Sequence, residues 1–234
     1  MKFSAIKEKL SRFIFPNQCR YCHAQTSAPL CPHCVSLLHL VDPATRCPRC
    51  FSDEITGAKR VCEHCHEESG MADYVAAAFD YEGPAKGLLD QFSLGDEPYL
   101  AKTLAAFLYL QFEALGWDEP DYIIYVPQSF LRSSDRGYNA SLLLAREFSR
   151  LIKKPVRSLF KKSSPTLPQR ALVLKDRKQL SCENFVLKDN RCIEDKIFLL
   201  VDDLYVTGAT AQALAAQLRT HHPKRTYVLT FCRG

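Results

Sequence analysis

From about residue 72 onward, short apolar runs alternate with amphipathic stretches, which is typical of strands that alternate with helices. The apolar runs predict strands at 74–81, 122–126, 197–201 and 226–231. The amphipathic stretches predict helices at 86–92, 100–115, 139–152 and 209–219. Two of the runs, 122–126 and 197–201, are apolar throughout, which indicates strands that are buried on both faces. We therefore predict an α/β fold, in which helices cover both faces of a parallel sheet.

The rest of the chain has a different pattern. Residues 1–16 place basic and apolar side chains at helical spacing, which predicts an amphipathic N-terminal helix. Residues 17–68 are rich in cysteine and in turns, and residues 161–181, with two prolines and six basic residues, predict a long loop. We accordingly divide the chain into an N-terminal helix at 1–16, a small cysteine-rich domain at 17–68 and an α/β domain at 72–234.

Eight of the 11 cysteines form four C-x-x-C pairs. The pairs are Cys19 with Cys22, Cys31 with Cys34, Cys47 with Cys50, and Cys62 with Cys65. Zn²⁺ binds four thiolates in a tetrahedron, and a C-x-x-C turn brings two thiolates to one ion. The four pairs therefore predict two Zn²⁺ ions. A segment this short cannot build a large core, so metal binding would supply much of its folding free energy.

Redox chemistry or buried free thiols are the alternative explanation of these cysteines, and four regularly repeated pairs favour zinc. The pairs can share ions sequentially, first with second and third with fourth, or in an interleaved order. We expect the sequential arrangement. Because four cysteines leave no open coordination position, both ions would be structural rather than catalytic.

Composition limits the class of protein. The chain is 47% hydrophobic and 24% charged, with no apolar run of about 18 residues, so we expect no stable membrane insertion. Charges interrupt the N-terminal apolar residues, unlike a secretory signal, and we expect a cytoplasmic protein in which cysteines bind metal. The formal net charge of +5 counts the cysteines as neutral thiols, so it does not by itself indicate a nucleic-acid ligand. Residues 121–192, with 15 Lys or Arg against 6 Asp or Glu, suit a polyanionic ligand.

The segment 197–210, with the sequence IFLLVDDLYVTGAT, carries the most specific chemistry. A buried strand delivers Asp202 and Asp203 to the carboxyl end of the sheet, where ligands bind in open α/β folds. The backbone amides of 207–210 and the following helix N-terminus suit a phosphate, and two carboxylates suit ribose hydroxyls. A polar turn with an N-capping threonine is the alternative. The predicted ligand-binding residues are Asp202, Asp203, Tyr205, Val206, Thr207, Gly208, Ala209 and Thr210.

This segment resembles the 5-phosphoribosyl-1-pyrophosphate (PRPP) motif of type I phosphoribosyltransferases, which has four apolar residues, two acids and a loop ending in T-G-x-T. Together with the cysteine pairs, it resembles the ComF family of bacterial competence proteins, including its GntX-type relatives. Further matching segments are Tyr81–Pro84, Val126-Pro127 followed by Arg132 and by Arg136-Gly137-Tyr138-Asn139, and the set Gln169, Leu172, Arg177 and Phe185.

The resemblance implies a type I phosphoribosyltransferase-like sheet preceded by a double zinc ribbon. It places Asp202 and Asp203 on ribose hydroxyls and residues 206–210 on a 5-phosphate. The resulting candidates for contacts with phosphate or nucleic acid are Arg132, Arg136, Gly137, Tyr138, Asn139 and Arg177. The implied function is an accessory role in natural transformation, in which the protein handles incoming single-stranded DNA with DNA-uptake or recombination proteins as partners.

The alternative that the resemblance implies is an active phosphoribosyltransferase, which uses PRPP and Mg²⁺ with an unknown acceptor. The chain departs from the family pattern on the presumed pyrophosphate side. Ser93, Ala140 and Val206 stand where the family usually has lysine, glutamine and threonine. The phosphate and ribose half of the motif is therefore better kept than the pyrophosphate half, which favours binding over catalysis.

Overall fold

A computed structural model describes residues 18–55, 62, 65, 72–127, 138–162 and 185–234. Within these ranges the helices are α1 (Pro32–Ser36), α2 (Gly83–Ser93), α3 (Ala101–Leu115), α4 (Ala140–Ile152) and α5 (Ala209–Arg219). The strands are β1 (Tyr74–Asp80), β2 (Tyr122–Tyr125), β3 (Val156–Arg157), β4 (Phe160–Lys162), β5 (Phe185–Leu187), β6 (Ile197–Tyr205) and β7 (Arg225–Arg233). Short 3-10 turns lie at Pro43–Thr45 and Pro98–Leu100. None of the helices in these ranges is long and apolar enough to cross a membrane.

Five strands form one sheet in the order β1-β7-β6-β2-β3, and every pairing within it is parallel. Strands β4 and β5 form a separate antiparallel pair. The side chains of β6 alternate between the two faces of the sheet. Leu199 and Val201 pack in the core that includes α2, α3 and α4, whereas Phe198 and Leu200 pack in the core that includes α5. The predicted α/β fold, with a parallel sheet and helices on both faces, is confirmed.

The cysteine-rich segment covers one edge of this sheet. Strand β1 lies at the edge, where its backbone groups would otherwise be unpaired. The amide of Val41 donates to the carbonyl of Ala78 at 3.0 Å, and the amide of Val75 donates to the carbonyl of Arg49 at 2.8 Å. Phe51 also packs in the core that holds α2, α3 and α4. The cysteine-rich segment therefore continues the core of the α/β part of the chain.

The structure bears differently on the predicted loop, the predicted N-terminal helix and the predicted domain boundaries. Lys161 and Lys162 belong to β4, so the prediction of a loop over 161–181 is wrong at its start, and residues 163–181 lie outside the described part. The prolines and basic residues that predict the loop give no sign of β4, whose three residues are too few to show periodicity. The predicted N-terminal helix at 1–16 also lies outside the described residues. The domain boundaries at 17–68 and 72–234 stay a prediction.

Candidate functional site

The cysteines form two groups of four, and the four Sγ atoms of each group lie within 4.8 Å of one another. The first group contains Cys19, Cys22, Cys31 and Cys34, and the second contains Cys47, Cys50, Cys62 and Cys65. The structure therefore groups the pairs as the sequence predicts, first with second and third with fourth, and the sharing of ions stays a prediction. Four sulfurs at this spacing are the donor set that Zn²⁺ prefers, so each group can hold one metal ion.

The first pair of each group closes the same backbone turn. The amide of Cys19 donates to the carbonyl of Ala24 at 2.8 Å, and the amide of Cys47 donates to the carbonyl of Ser52 at 2.8 Å. In each case the donor and the acceptor are the same number of residues apart. The two C-x-x-C turns are therefore structural copies, each shaped to hold two sulfurs on one side.

Backbone amides also favour the thiolate form of one cysteine in each group. Burial alone would raise the pKa of Cys19, but the amides of Cys22 and Cys31 outweigh burial and lower this pKa to about 6. Burial is likewise outweighed at Cys47, where amides that include that of Cys50 lower the pKa to about 7. A thiolate is the form that binds metal, so each group contains one cysteine prepared for a cation.

The predicted phosphate turn connects β6 to α5. Strand β6 continues past Val201 to Tyr205, and α5 begins at Ala209, so the turn consists of residues 206–208. Gly208 has a φ of +70°, and a Cβ atom there would overlap the Tyr205 hydroxyl and lie 2.5 Å from Tyr205 Cζ. The turn therefore requires glycine at position 208, both for its backbone conformation and for its close approach to Tyr205.

A cavity of about 200 Å³ opens at this turn. Its lining residues are Asp202, Leu204, Tyr205, Val206, Thr207, Gly208, Ala209, Thr210, Ala211, Val228 and Thr230. The N-cap residue of α5, Gly208, has no side chain that could cap the helix, and the amide of Ala209 donates to the Thr207 hydroxyl at 3.3 Å. Because the first amides of a helix have no acceptor within the helix, an anion in the cavity would meet donors and the positive end of the helix dipole.

Serines from two helices hold the two aspartates. The Ser141 hydroxyl, in the first turn of α4, donates to Asp202 Oδ1. The Ser93 hydroxyl, at the end of α2, donates to Asp203 Oδ2 at 2.6 Å. Each carboxylate has about four acceptor positions, so both keep capacity for further donors such as ribose hydroxyls. Sequence reasoning missed both contacts, because Ser141 and Ser93 are far from the aspartates in the chain and carry no local signal.

The half-buried Asp202 is costly to ionise. Burial and the neighbouring Asp203 carboxylate raise the pKa of Asp202 well above its ordinary value. The folded protein therefore binds the proton of Asp202 more tightly than the unfolded chain does. Stability is lost as the pH rises from the unfolded value of about 3.9 towards the folded pKa.

This effect predicts that Asp202→Asn stabilises the protein at neutral pH. The gain in unfolding free energy should be on the order of 1 kcal/mol at pH 7, and it should grow as the pH rises from about 4. Denaturant unfolding of both proteins at several pH values measures the difference in unfolding free energy. The contributions of the other titrating groups are common to both proteins and cancel in this difference. The exposed Glu194 provides a control, since Glu194→Gln should change stability little at any pH. Equal stability of wild type and Asp202→Asn across this range would contradict the account.

Of the candidates for contacts with phosphate or nucleic acid, Tyr138 and Asn139 lie at the start of α4. The Tyr138 hydroxyl donates to the carbonyl of Phe92, and the two rings lie 6.2 Å apart. Asn139 accepts a hydrogen bond from the amide of Leu142 at 3.0 Å, so it caps α4, and it also donates to the carbonyl of Val126 at 3.0 Å. These contacts position the start of α4. Their role in nucleic-acid binding stays a prediction. Arg132, Arg136, Gly137 and Arg177 lie outside the described residues.

Two larger cavities lie at the other end of the sheet. One, of about 430 Å³, is lined by residues that include Gly116 and Pro120, just before β2. The other, of about 370 Å³, is lined by residues that include Asp195 and Pro223, just before β6 and β7. Ligands of open parallel sheets bind at the carboxyl ends of the strands. We therefore take the smaller cavity at the β6–α5 turn as the candidate ligand site.

Two solved structures with similar folds are phosphoribosyl-handling enzymes by their names. Adenine phosphoribosyltransferase is 17% identical, with a TM-score of 0.38, over 58% of this chain and 73% of that chain. Glutamine phosphoribosylpyrophosphate amidotransferase from B. subtilis is 21% identical, with a TM-score of 0.38, over 58% of this chain and 26% of that chain. This chain therefore spans about a quarter of the amidotransferase.

No model of a known protein family matches the chain, whereas three curated proteins are similar to most of it. Competence protein F of Haemophilus influenzae is 29% identical over 86% of this chain and 83% of its own length. Competence protein ComFC of Streptococcus pneumoniae is 29% identical over 77% of both chains. DNA utilization protein YhgH of Shigella flexneri is 26% identical over 81% of this chain and 84% of its own length. The resemblance to ComF-type competence proteins, expected from the cysteine pairs and from segment 197–210, is thereby confirmed.

Proposed function

We propose that the protein binds a free ribose phosphate at the β6–α5 turn, and that it handles incoming single-stranded DNA on a basic surface beside α5 during DNA uptake or utilisation. The observation that carries this proposal is the cavity in which the start of α5 and Asp202 line one space, with Asp203 adjacent in β6. The relatives named for competence and DNA utilisation supply the biological context.

The size and chemistry of the cavity support a sugar phosphate. Its volume of about 200 Å³ lies below the roughly 300 Å³ at which pockets for drug-sized ligands begin. A phosphate and one sugar suit that space, and the rest of a larger ligand would extend into solvent. Amides donate to phosphate oxygens, which have no protons to give, whereas carboxylates accept from ribose hydroxyls. The two halves of the site thus recognise the two ends of one sugar phosphate.

A basic surface adjoins this helix. Lys161 and Lys162 are exposed on β4, and β4 pairs with β5. Strand β5 in turn contacts α5, where Gln217 Nε2 donates to the carbonyl of Phe185 at 2.6 Å. Residues 153–162 contain five basic and no acidic residues. The two lysines therefore lie on the α5 side of the sheet, near the last turn of the helix, where they can contact the phosphates of a strand.

The expected result is that purified protein shifts labelled single-stranded DNA in a gel at about 50 mM salt. Binding through about three phosphates should lose roughly 20-fold in affinity between about 50 and 200 mM salt, because each contact releases counterions from the strand. The measurement is the dissociation constant as a function of salt concentration. No binding at the low salt concentration would contradict the proposal.

Matched variants locate the contact. Lys161→Ala/Lys162→Ala should weaken DNA binding and reduce its salt dependence, since two charges near the strand are removed. Lys224→Ala removes another exposed lysine, just before β7 and outside the β4–β5 pair, and should change neither quantity. Equal effects of the two variants would show that only general positive charge matters.

A second candidate function is phosphoribosyl transfer, which the adjacent carboxylates of Asp202 and Asp203 favour. In that reaction the acceptor displaces pyrophosphate from PRPP, and the aspartates hold the ribose hydroxyls while the turn holds the 5-phosphate. Mg²⁺ would enter with the diphosphate as part of the substrate. Release of pyrophosphate from PRPP and Mg²⁺ in the presence of a panel of nucleobases tests this function. Tight binding of PRPP without release of pyrophosphate would indicate that the protein binds PRPP but does not catalyse the transfer.

A further inference from the structure

Arg233, near the end of β7, connects the second cysteine group to the phosphate turn. Its Nη1 atom donates to the carbonyl of Cys50. Its guanidinium lies over the ring of Tyr205, with Cζ 5.2 Å from the ring centroid. Arg233 and Tyr205 are also directly paired between β7 and β6. One side chain thus contacts a metal-ligand residue on one side and the residue before the turn on the other.

Tyr205 in turn shapes the turn itself. Its side chain is only 6% exposed, and it lines the candidate ligand cavity. The ring and hydroxyl of Tyr205 fill the space that a Cβ atom at residue 208 would occupy, so a shift of the ring changes the space beside Gly208. The carbonyl of Tyr205 is held by the amide of Gly234 at 3.0 Å. The Arg233 guanidinium is therefore one of the groups that pack against the Tyr205 ring beside the turn.

A cation in the second group would fix the position of the Cys50 carbonyl. The Sγ atoms of Cys50 and Cys62 lie 3.4 Å apart, within a group of four sulfurs. A cation would bind all four sulfurs at once, whereas the sulfurs of the metal-free group would bind protons and keep only weak S–H···S contacts. Loss of the ion would make the C-x-x-C turn at Cys47–Cys50 rearrange, and the carbonyl that holds Arg233 belongs to that turn.

The first cysteine group is connected elsewhere. Its Arg20 bonds to Glu97 at 2.7 Å and to the Tyr99 hydroxyl at 2.8 Å, both just beyond α2. In the part of the chain that the structure describes, only the second group has a hydrogen-bonded connection to a residue that contacts the turn. Loss of metal from the second group should therefore affect ligand binding at the turn, whereas loss of metal from the first group should not.

We propose that metal in the second cysteine group positions Tyr205 through Arg233 and so raises the affinity of the turn for a sugar phosphate. This coupling rests on the proposed function, because it presupposes a ligand in the turn. Coupling between two binding sites is reciprocal, and typical coupling changes an affinity by about 5- to 150-fold. Arg233 acts here as a positioning residue and does not contact the ligand.

A set of full-length variants tests the coupling, with zinc content and calorimetric affinity for ribose 5-phosphate as the two measurements. Cys62→Ser should lose one zinc and at least about fivefold in affinity, whereas Cys22→Ser in the first group should lose one zinc with little change in affinity. Arg233→Met, which keeps the apolar stem, should retain both ions but lose affinity as Cys62→Ser does. Arg20→Met is the matched control and should change neither quantity.

The double variant Cys62→Ser/Arg233→Met distinguishes coupling from general damage. If both changes act through one connection, the double variant should bind ribose 5-phosphate no more weakly than either single variant, whereas independent damage would add. Equal losses of ribose 5-phosphate affinity in Cys22→Ser and Cys62→Ser would overturn this inference but not the proposed function. Full affinity in Arg233→Met would do the same. No binding of ribose 5-phosphate to the zinc-loaded wild type would overturn the proposed function as well. If Arg233→Met fails to fold, the comparison of the two cysteine variants decides.

Discussion

Gly208→Ala should reduce the affinity for ribose 5-phosphate by about 30-fold or more, the equivalent of about 2 kcal/mol. Two effects combine at this residue. Its φ of +70° costs a residue with a Cβ atom about 1–2 kcal/mol, and the added atom would lie 2.5 Å from Tyr205 Cζ. Either the turn or the Tyr205 ring must move, and both line the ligand cavity. Calorimetric titration of the folded variant measures the loss.

Gly116 provides the matched control for this substitution. It also has a positive φ, +61°, at the end of α3, but nothing lies within 4 Å of a Cβ atom there. Gly116→Ala should therefore lose about 1 kcal/mol of stability and leave ligand affinity unchanged. If Gly208→Ala binds ribose 5-phosphate as well as Gly116→Ala does, the turn is not the binding site.

Cys47→Ala should remove one of two bound zinc ions and destabilise the protein by on the order of 4 kcal/mol. The reason is that the cysteine-rich segment has little core of its own and covers the edge strand β1. Without the ion, the second group of thiols loses its common partner, and the contact of Arg49 with Val75 loses its support. Zinc analysis of the purified variant and its thermal unfolding midpoint are the measurements.

Cys232 separates the loss of metal from the loss of a buried sulfur. Both Cys232 and Cys47 are fully buried, but Cys232 lies in β7, outside both cysteine groups. Cys232→Ala should keep two zinc ions and lose only the stability expected of a small cavity, about 1 kcal/mol. Two zinc ions in Cys47→Ala would show that this cysteine is not a metal ligand.

Features with a local cause could be predicted from the sequence. The C-x-x-C pairs fold as local turns, and the expected grouping of Cys19 with Cys34 and of Cys47 with Cys65 is what the structure shows. Helix α5 has the predicted bounds, 209–219, because Gly208 and an amphipathic run mark its start and its course. The parallel sheet followed from the alternation of apolar runs with amphipathic stretches.

Features that depend on partners distant in the chain could not be predicted. Strand β6 was expected to end at Val201, since two acids follow, but it pairs with β7 as far as Tyr205 because backbone pairing does not depend on side-chain polarity. The contact of Arg233 with the Cys50 carbonyl joins residues that are separated by most of the chain. No periodicity or motif in the sequence indicates such a contact.

The most direct test of the account compares two ligands, ribose 5-phosphate and inorganic phosphate, by calorimetric titration of wild type and Asp203→Asn. We expect ribose 5-phosphate to bind the wild type with a dissociation constant on the order of 10 μM. Asp203→Asn should weaken this ligand about tenfold, the effect of one lost charge-assisted hydrogen bond, and should leave binding of inorganic phosphate unchanged. Two results would contradict the claim that the turn and the aspartates recognise one sugar phosphate. One is that ribose 5-phosphate does not bind the wild type, and the other is that it binds Asp203→Asn with the same dissociation constant as the wild type.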